Sequence, residues 1–187
     1  MKSALFLDRD GILDELVFYE SSGEWESPRR LADLVMIEGV AEPLQRLVDA
    51  GWLLVIITNQ PSHAKGKTSR EELLEVHEAI LDRLGVPIAA SYLCFHHPQS
   101  IVDELRVACD CRKPGAQSLR DAARDHDIDL SQSWMVGDQD TDLAAGRAAG
   151  CRVALIEHPR SANKRGTVTP DVTMRDLAEL VELLLRG

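Results

Sequence analysis

The sequence has no surplus of positive charge. Its 21 Lys and Arg face 31 Asp and Glu, for a net charge of −10. That balance argues against a nucleic-acid groove or an anionic membrane surface as partner. It leaves room for a small phosphorylated substrate, which needs only local positive charge. No run approaches the roughly 20 apolar residues of a membrane span. The apolar stretch after Met1-Lys2-Ser3 is too short for a signal peptide. A cytoplasmic location is therefore expected, and there the four cysteines are expected to stay reduced rather than pair as disulfides. Heptads, internal repeats and an obvious apolar patch are missing too, so the sequence carries no oligomer signal.

What is present is an ordinary globular composition. Of 187 residues, 44% are hydrophobic and 28% charged, enough to bury a core and too apolar for a disordered chain. One domain spanning 1–187 is expected, with at most a small insertion. Strand-like and helical segments alternate. Ala4–Leu7, Leu53–Thr58, Ala89–Phe95, Trp134–Val136 and Arg152–Ile156 read as strands. Val40–Ala50, Ser69–Leu84, Ala116–His126, Leu143–Ala149 and Leu177–Leu185 read as helices, three of them stopped by Gly51, Gly85 and Gly150. The alternation predicts an α/β, Rossmann-like fold, with a parallel sheet of about five strands flanked by helices. Ligands of such sheets lie at the carboxyl ends of the strands.

Those ends are where the polar residues fall. The first strand runs into Asp8-Arg9-Asp10-Gly11, the second into Thr58-Asn59-Gln60, and the fourth into Gly137-Asp138-Gln139-Asp140-Thr141-Asp142. Cys111-Arg112-Lys113-Pro114 precedes a helix. Taken singly, each has a plain structural reading: an Asp-Gly turn with solvated acids, a turn signal, a helix cap, a loop lysine. Together, at one sheet edge, they make a phosphoryl-transfer site. Asp8 would attack phosphorus, and Asp10 would give a proton to the leaving oxygen and then take one from water. Thr58 with its neighbouring amides, and Lys113, would hold the phosphoryl oxygens. Asp8 and Asp138 would hold Mg²⁺, with Asp142 orienting its waters. A twelve-residue calcium loop is a poorer reading of Asp8–Gly11, because the further oxygen ligands and the closing glutamate are missing.

The ordered set DRDG (8–11), TN (58–59), RKP (112–114) and GDQDTD (137–142) resembles the four motifs of the haloacid dehalogenase (HAD) superfamily over nearly the whole chain. The resemblance implies an aspartyl-phosphate on Asp8, acid/base work by Asp10, and Mg²⁺ held by Asp8, the Asp10 carbonyl and Asp138. The second aspartate points to phosphatases rather than carbon–halogen hydrolases, since an oxygen leaving group needs a proton.

A second cluster is Cys94-x-His96 with Cys109-x-Cys111. Three sulfurs and an imidazole suit tetrahedral Zn²⁺. The competing reading is unrelated reduced thiols, as Cys151 is expected to be. His97 competes with His96 for the fourth position. The segment YLCFHHPQSIVDELRVACDCRKP (92–114), with its zinc loop at about 94–111, closely resembles the D-glycero-D-manno-heptose 1,7-bisphosphate phosphatase family, which includes related histidinol-phosphate phosphatases. That resemblance implies a capless Mg²⁺- and Zn²⁺-containing enzyme acting on a small sugar phosphate, with Asn59 and Arg112 touching substrate. Arg112 is suited to a bidentate grip on a second phosphate or on sugar oxygens. A histidinol-phosphate or other small-metabolite phosphatase, and a non-catalytic phosphate-binding module, are the other readings. The chain departs from the family at Ile12, at Pro61-Ser62-His63 after TNQ, and in the longer loop Phe18–Leu34. Trp25 and His63 there would either line the site or sit exposed.

Overall fold

The computed structural model describes residues 1–186. Six strands form the main sheet: β1 (Ala4–Leu7), β4 (Leu53–Asn59), β5 (Ala90–Cys94), β6 (Trp134–Gly137), β7 (Arg152–Ile156) and β8 (Val172–Met174). Every pairing is parallel, and the order is β5-β4-β1-β6-β7-β8. The α/β sheet with flanking helices is thus as expected, with one more strand. β8 is three residues long, only half-buried and at the edge, so it lacks the apolar run that marks the inner strands. A separate antiparallel hairpin, β2 (Val17–Tyr19) with β3 (Glu24–Glu26), grows out of the 18–34 loop. Its three-residue arms are too short to give a periodic signal.

The helices follow from apolar spacing and capping. They are α1 (Ala41–Asp49), α2 (Arg70–Leu84), α3 (Gln117–His126), α4 (Asp140–Ala149) and α5 (Leu177–Arg186). Ser69 caps α2 by accepting from the Glu72 amide at 3.1 Å, while Glu72 accepts from the Ser69 amide at 3.0 Å. Alternate residues of each strand feed opposite layers. Leu5, Leu7, Leu54, Ile56 and Val136 pack with α1, α2 and α5; Ala4, Phe6, Val55, Ile57 and Met135 pack with α3 and α4. Both sheet faces are therefore covered, and only the strand ends remain free for polar work. Among the described residues, no helix is long and apolar enough to cross a membrane.

Candidate active site

β1 and β6 are hydrogen-bonded neighbours, and Leu7 sits opposite Val136. Their next residues therefore emerge side by side, and Asp8 donates its amide to the Val136 carbonyl at 2.9 Å. Asp8 and Asp138 thereby meet although 130 positions apart. Gly11 makes this approach possible: φ is +87°, and a Cβ there would lie 2.6 Å from Asp138 Oδ2. Asp142, in the first turn of α4, caps that helix by accepting from the Gln139 amide at 3.0 Å. It lies against Gly137, where any larger residue would collide with it.

Lys113 joins the two carboxylates. Its buried ammonium is 2.7 Å from Asp8 Oδ1, 2.7 Å from Asp142 Oδ1 and 2.8 Å from the Ile57 carbonyl. Burial alone would lower its pKa; Asp142 and Asp8 outweigh that and hold it charged. Asp8, Asp138 and Asp142 offer carboxylate oxygens within 4.8 Å of one another. Three carboxylates around one ammonium leave an excess of two negative charges. Accordingly burial, then Asp142, pushes Asp8 up to about 7, and burial, then Asp8, pushes Asp138 up to about 7. Neither carboxylate oxygen of Asp138 has a hydrogen-bond partner, although the residue is fully buried. Orphaned buried carboxylate oxygens beside a like charge are costly unless a cation joins them. The donors are hard, and the missing charge is that of a divalent ion, so the residues fit Mg²⁺.

Asp10 is built differently. Its side chain is not part of this cluster. Oδ1 accepts from Arg9 Nη2 at 2.8 Å and Nε at 3.2 Å; Oδ2 accepts from Gln60 Nε2 at 2.6 Å and Thr58 Oγ1 at 3.3 Å. Burial would raise its pKa, but the charge and hydrogen bonds of Arg9, with bonds from Ser27 and Gln60, hold it below the ordinary carboxylate range. Asn59 lines the cavity, but both ends of its amide are committed to the main chain of Lys113, at 3.0 and 3.1 Å. It positions the Lys113 loop in this structure.

These residues open into a cavity of about 190 Å³. Asp8, Asp10, Lys113 and Asp142 form its floor; Glu24, Glu26, Lys65, Arg112 and Lys164 reach its mouth. Lys65 and Arg112 have no ion-pair partner among the described residues, and Arg112 makes one long bond, 3.5 Å, to the His96 carbonyl. Trp25 and His63 do not line the cavity. Trp25 packs on Phe18, with ring centroids 5.5 Å apart, and lies under the Arg160 guanidinium at 4.5 Å; His63 Nδ1 is 3.2 Å from the Thr68 carbonyl. Sequence reasoning gives no individual role to Arg9, Gln60, Glu24, Glu26, Lys65 or Lys164. It does place Glu24, Glu26 and Lys65 in the two segments that depart from the family pattern and flank the substrate mouth, and Gln60 directly after Thr58-Asn59.

The second cluster assembles beside the mouth. Cys94 ends β5 and lies opposite Asn59. Cys94 Sγ is 3.7 Å from Cys109 Sγ and 3.2 Å from Cys111 Sγ; His96 Nδ1 is 3.3 Å from Cys111 Sγ and 3.8 Å from Cys94 Sγ. A tetrahedral zinc with sulfurs at about 2.3 Å and nitrogen at about 2.0 Å places its ligands roughly 3.5 to 3.8 Å apart; two of these separations match and two are slightly tighter, and the donor set of three sulfurs and an imidazole suits that ion. No disulfide forms. His97 turns away, its Nδ1 accepting from the Gln99 amide at 3.1 Å, so it is His96 that joins the cysteines. The loop between the pairs rests on the mouth: Ser100 Oγ is 3.1 Å from the Ala64 carbonyl, which the Ile101 amide also contacts at 2.8 Å.

Comparison with known proteins agrees with this geometry. A HAD-hydrolase-like family model matches residues 110–180. The D-glycero-beta-D-manno-heptose-1,7-bisphosphate 7-phosphatase of Haemophilus ducreyi is 35% identical, over 96% of this chain and 97% of its own. The D-glycero-D-manno-heptose-1,7-bisphosphate 7-phosphatase of Thermosynechococcus vestitus is 35% identical, over 97% of this chain and 94% of its own. The chain belongs to the heptose-1,7-bisphosphate phosphatase family of HAD-like hydrolases. Among solved structures, the D,D-heptose 1,7-bisphosphate phosphatase of B. bronchiseptica, complexed with magnesium and phosphate, superposes with a TM-score of 0.80 at 28% identity, covering 98% of both chains.

Proposed function

We propose that this chain, working as one catalytic unit, hydrolyses the 7-phosphate of a D-glycero-D-manno-heptose 1,7-bisphosphate through an aspartyl-phosphate on Asp8. The observation that carries the reading is the joint one: Asp8, Lys113, Asp138 and Asp142 packed at one sheet edge, with Asp10 alongside, under a cavity whose mouth holds two unpaired cations, Lys65 and Arg112. An Asp8 carboxylate oxygen bonds to phosphorus as the bond from phosphorus to the sugar oxygen breaks, and Asp10, which Arg9 holds ionised in the free protein and which takes up a proton as the anionic substrate binds, delivers that proton to the leaving oxygen. Asp10 then takes a proton from water as the water oxygen bonds to the phosphorus. The acyl-phosphate bond breaks, freeing phosphate and the Asp8 carboxylate. Lys113 and the main chain around Thr58 hold the phosphoryl oxygens. Mg²⁺, held by Asp8, Asp138 and the Asp10 carbonyl, would neutralise the charge carried by the phosphoryl group. Zn²⁺, held by Cys94, His96, Cys109 and Cys111, would close the loop that delivers Arg112 and Lys113, and with four protein ligands it leaves no position for substrate.

Lys65 and Arg112 support a substrate with a second anion: both reach the cavity without an ion-pair partner among the described residues, while Glu26 at the same mouth is already taken up by Lys67 and Arg29. The name of the B. bronchiseptica relative, and its magnesium and phosphate, support the same substrate and ion. Free thiols arranged as ligands accord with action in the reducing cytoplasm. The test is steady-state hydrolysis, with Mg²⁺, of the heptose bisphosphate, a heptose monophosphate and histidinol phosphate. The bisphosphate should lead in kcat/KM by about tenfold or more, the value of one charge-assisted contact. Preference for histidinol phosphate would overturn the substrate, and no turnover of any would leave a binding module.

A further inference from the structure

The mechanism above uses Asp10 but leaves unexplained the residue that holds it. Gln60 is fully buried. Its Nε2 donates to Asp10 Oδ2 at 2.6 Å and to Thr58 Oγ1 at 2.9 Å, and Thr58 in turn donates to the same Asp10 oxygen. Its own amide carbonyl oxygen has no partner. A buried acceptor left unpaired works against stability, and an apolar side chain would fill the space without that penalty. Turning the amide over would set its oxygen against a carboxylate oxygen, so the donors face Asp10 by electrostatic necessity. On the other side, the buried Arg9 takes up Asp10 Oδ1 with two donors. Asp10 is gripped at both oxygens.

The grip has a fixed base. The Gln60 amide donates to the carbonyl of Cys94 at 2.8 Å. Gln60 is thus tied to the residue that opens the cysteine–histidine cluster, and through its side chain to Asp10.

We propose that Gln60 is a positioning residue for Asp10: its amide sets the rotamer from which the carboxyl group reaches the leaving oxygen. This rests on the reading of Asp10 as the acid, and it goes beyond that reading by naming what aims the acid. A carboxyl group free to rotate would meet the leaving oxygen in only a fraction of encounters, and positioning is a large part of what an acid contributes.

The two readings separate by leaving group. kcat/KM reports the steps through formation of the phosphoenzyme, when the alcohol departs. A 4-nitrophenolate departs without a proton; a sugar alkoxide does not. Wild type, Asp10→Asn and Gln60→Met are compared on 4-nitrophenyl phosphate and on a sugar 6-phosphate, with Mg²⁺, and thermal melting checks that each variant is folded. Asp10→Asn should lose about 100-fold more on the sugar phosphate than on the aryl phosphate, the usual worth of a general acid. Gln60→Met should lose on both, with an extra loss of about tenfold on the sugar phosphate. Gln60→Leu, which fills much of the same space and has no donor at any pH, should show the same extra loss and serves if the Met variant does not fold. Equal losses on both substrates, or none, for the Gln60 variants would overturn the positioning role. Equal losses for Asp10→Asn would instead overturn Asp10 as the acid.

Discussion

The floor and the mouth of the cavity are built in opposite ways. The floor is dry and crowded: Asp8, Arg9, Asp10, Lys113, Asp138 and Asp142 are all buried; the first three and Asp138 come just after β1 or β6, Asp142 is in the first turn of α4, and Lys113 is in the turn before α3. The mouth is wet and is braced from distant parts of the chain. Lys67 and Arg29 ion-pair with Glu26, Thr68 Oγ1 donates to the Arg29 carbonyl, and Lys164 Nζ donates to the Trp25 carbonyl. The floor gets its geometry from the sheet, whose parallel register brings four strand ends to one edge whatever the loops do. The mouth has no such frame and must be held by contacts among its own loops. Chemistry common to many substrates belongs on the first, and selection among substrates on the second.

The strongest break of this comparison is at the floor. Asp8→Asn should lower kcat by at least about a thousandfold, because the covalent path needs the carboxylate. The fold should survive. Asp8 is already pushed up to about 7 by burial and by Asp142, so in metal-free protein at neutral pH the neutral amide is no worse tolerated than the acid. Melting in chelator should be unchanged or slightly higher, and the rise in melting temperature on adding Mg²⁺ should shrink. More than a few per cent of residual activity, or a full Mg²⁺ response, would contradict the floor as described.

The contrast also decides what was legible in the sequence. Asp8, Asp10 and Asp138 stood out because each follows a strand visible from its apolar run, Thr58 because it lies at the end of one, and Lys113 because its Arg-Lys-Pro turn precedes a helix; the parallel sheet does the rest. Cys94, His96, Cys109 and Cys111 stood out because ligand pairs sit close in sequence. The choice between His96 and His97 needed the side-chain directions. β8 and the β2–β3 hairpin were hidden by shortness. Glu26 and Lys164 were hidden for another reason: their partners lie 41 residues away for Glu26–Lys67 and 139 for Trp25–Lys164, and no local pattern marks a pair formed only by loop packing. Gln60 lies between these cases, next to a legible motif but with a role set by Asp10, 50 residues away.

A middle-sized effect should come from the cluster that touches both regions. Cys109→Ser removes one of four soft donors and should cut bound zinc per chain, lower the melting temperature by several degrees and reduce kcat/KM about tenfold. The loss has two routes: Arg112 and Lys113 follow Cys111 directly, and Ser100 and Ile101 hold the Ala64 carbonyl beside Lys65. KM and kcat should therefore both move, unlike the floor variant. Metal analysis with melting and kinetics on one preparation checks this; unchanged zinc content and melting would remove the metal from the account.

At the mouth the expected signature is the reverse of that at the floor. Lys65 is surface-exposed and lacks an ion-pair partner, and partial desolvation by the loops around it, then Lys67, lower its pKa. Lys65→Ala should raise KM for the bisphosphate about tenfold, with a much smaller change in kcat, and should leave KM for the monophosphate nearly as it was. An equal rise for both substrates would mean that Lys65 serves the reacting phosphate, and the division between floor and mouth would fail at that residue.

The smallest effect tests the bracing itself. Burial would raise the pKa of Glu26, but hydrogen bonds from Lys67, Ser22 and Arg29 outweigh it and hold the carboxyl at about 2, against an ordinary 4.5. A carboxylate with a depressed folded-state pKa stabilises the fold fully above the unfolded value and loses that contribution as pH falls through the folded one. Glu26→Gln should therefore melt a few degrees below wild type across roughly pH 5 to 8, and the gap should close as pH drops from about 4.5 toward 2. The gap stays small because the group is partly solvated, and such pairs contribute at most about 1 kcal/mol. A series of melts across this range decides the matter. A gap that persists at the acid end would assign Glu26 to packing rather than charge, and the mouth would then be held by shape, like the floor.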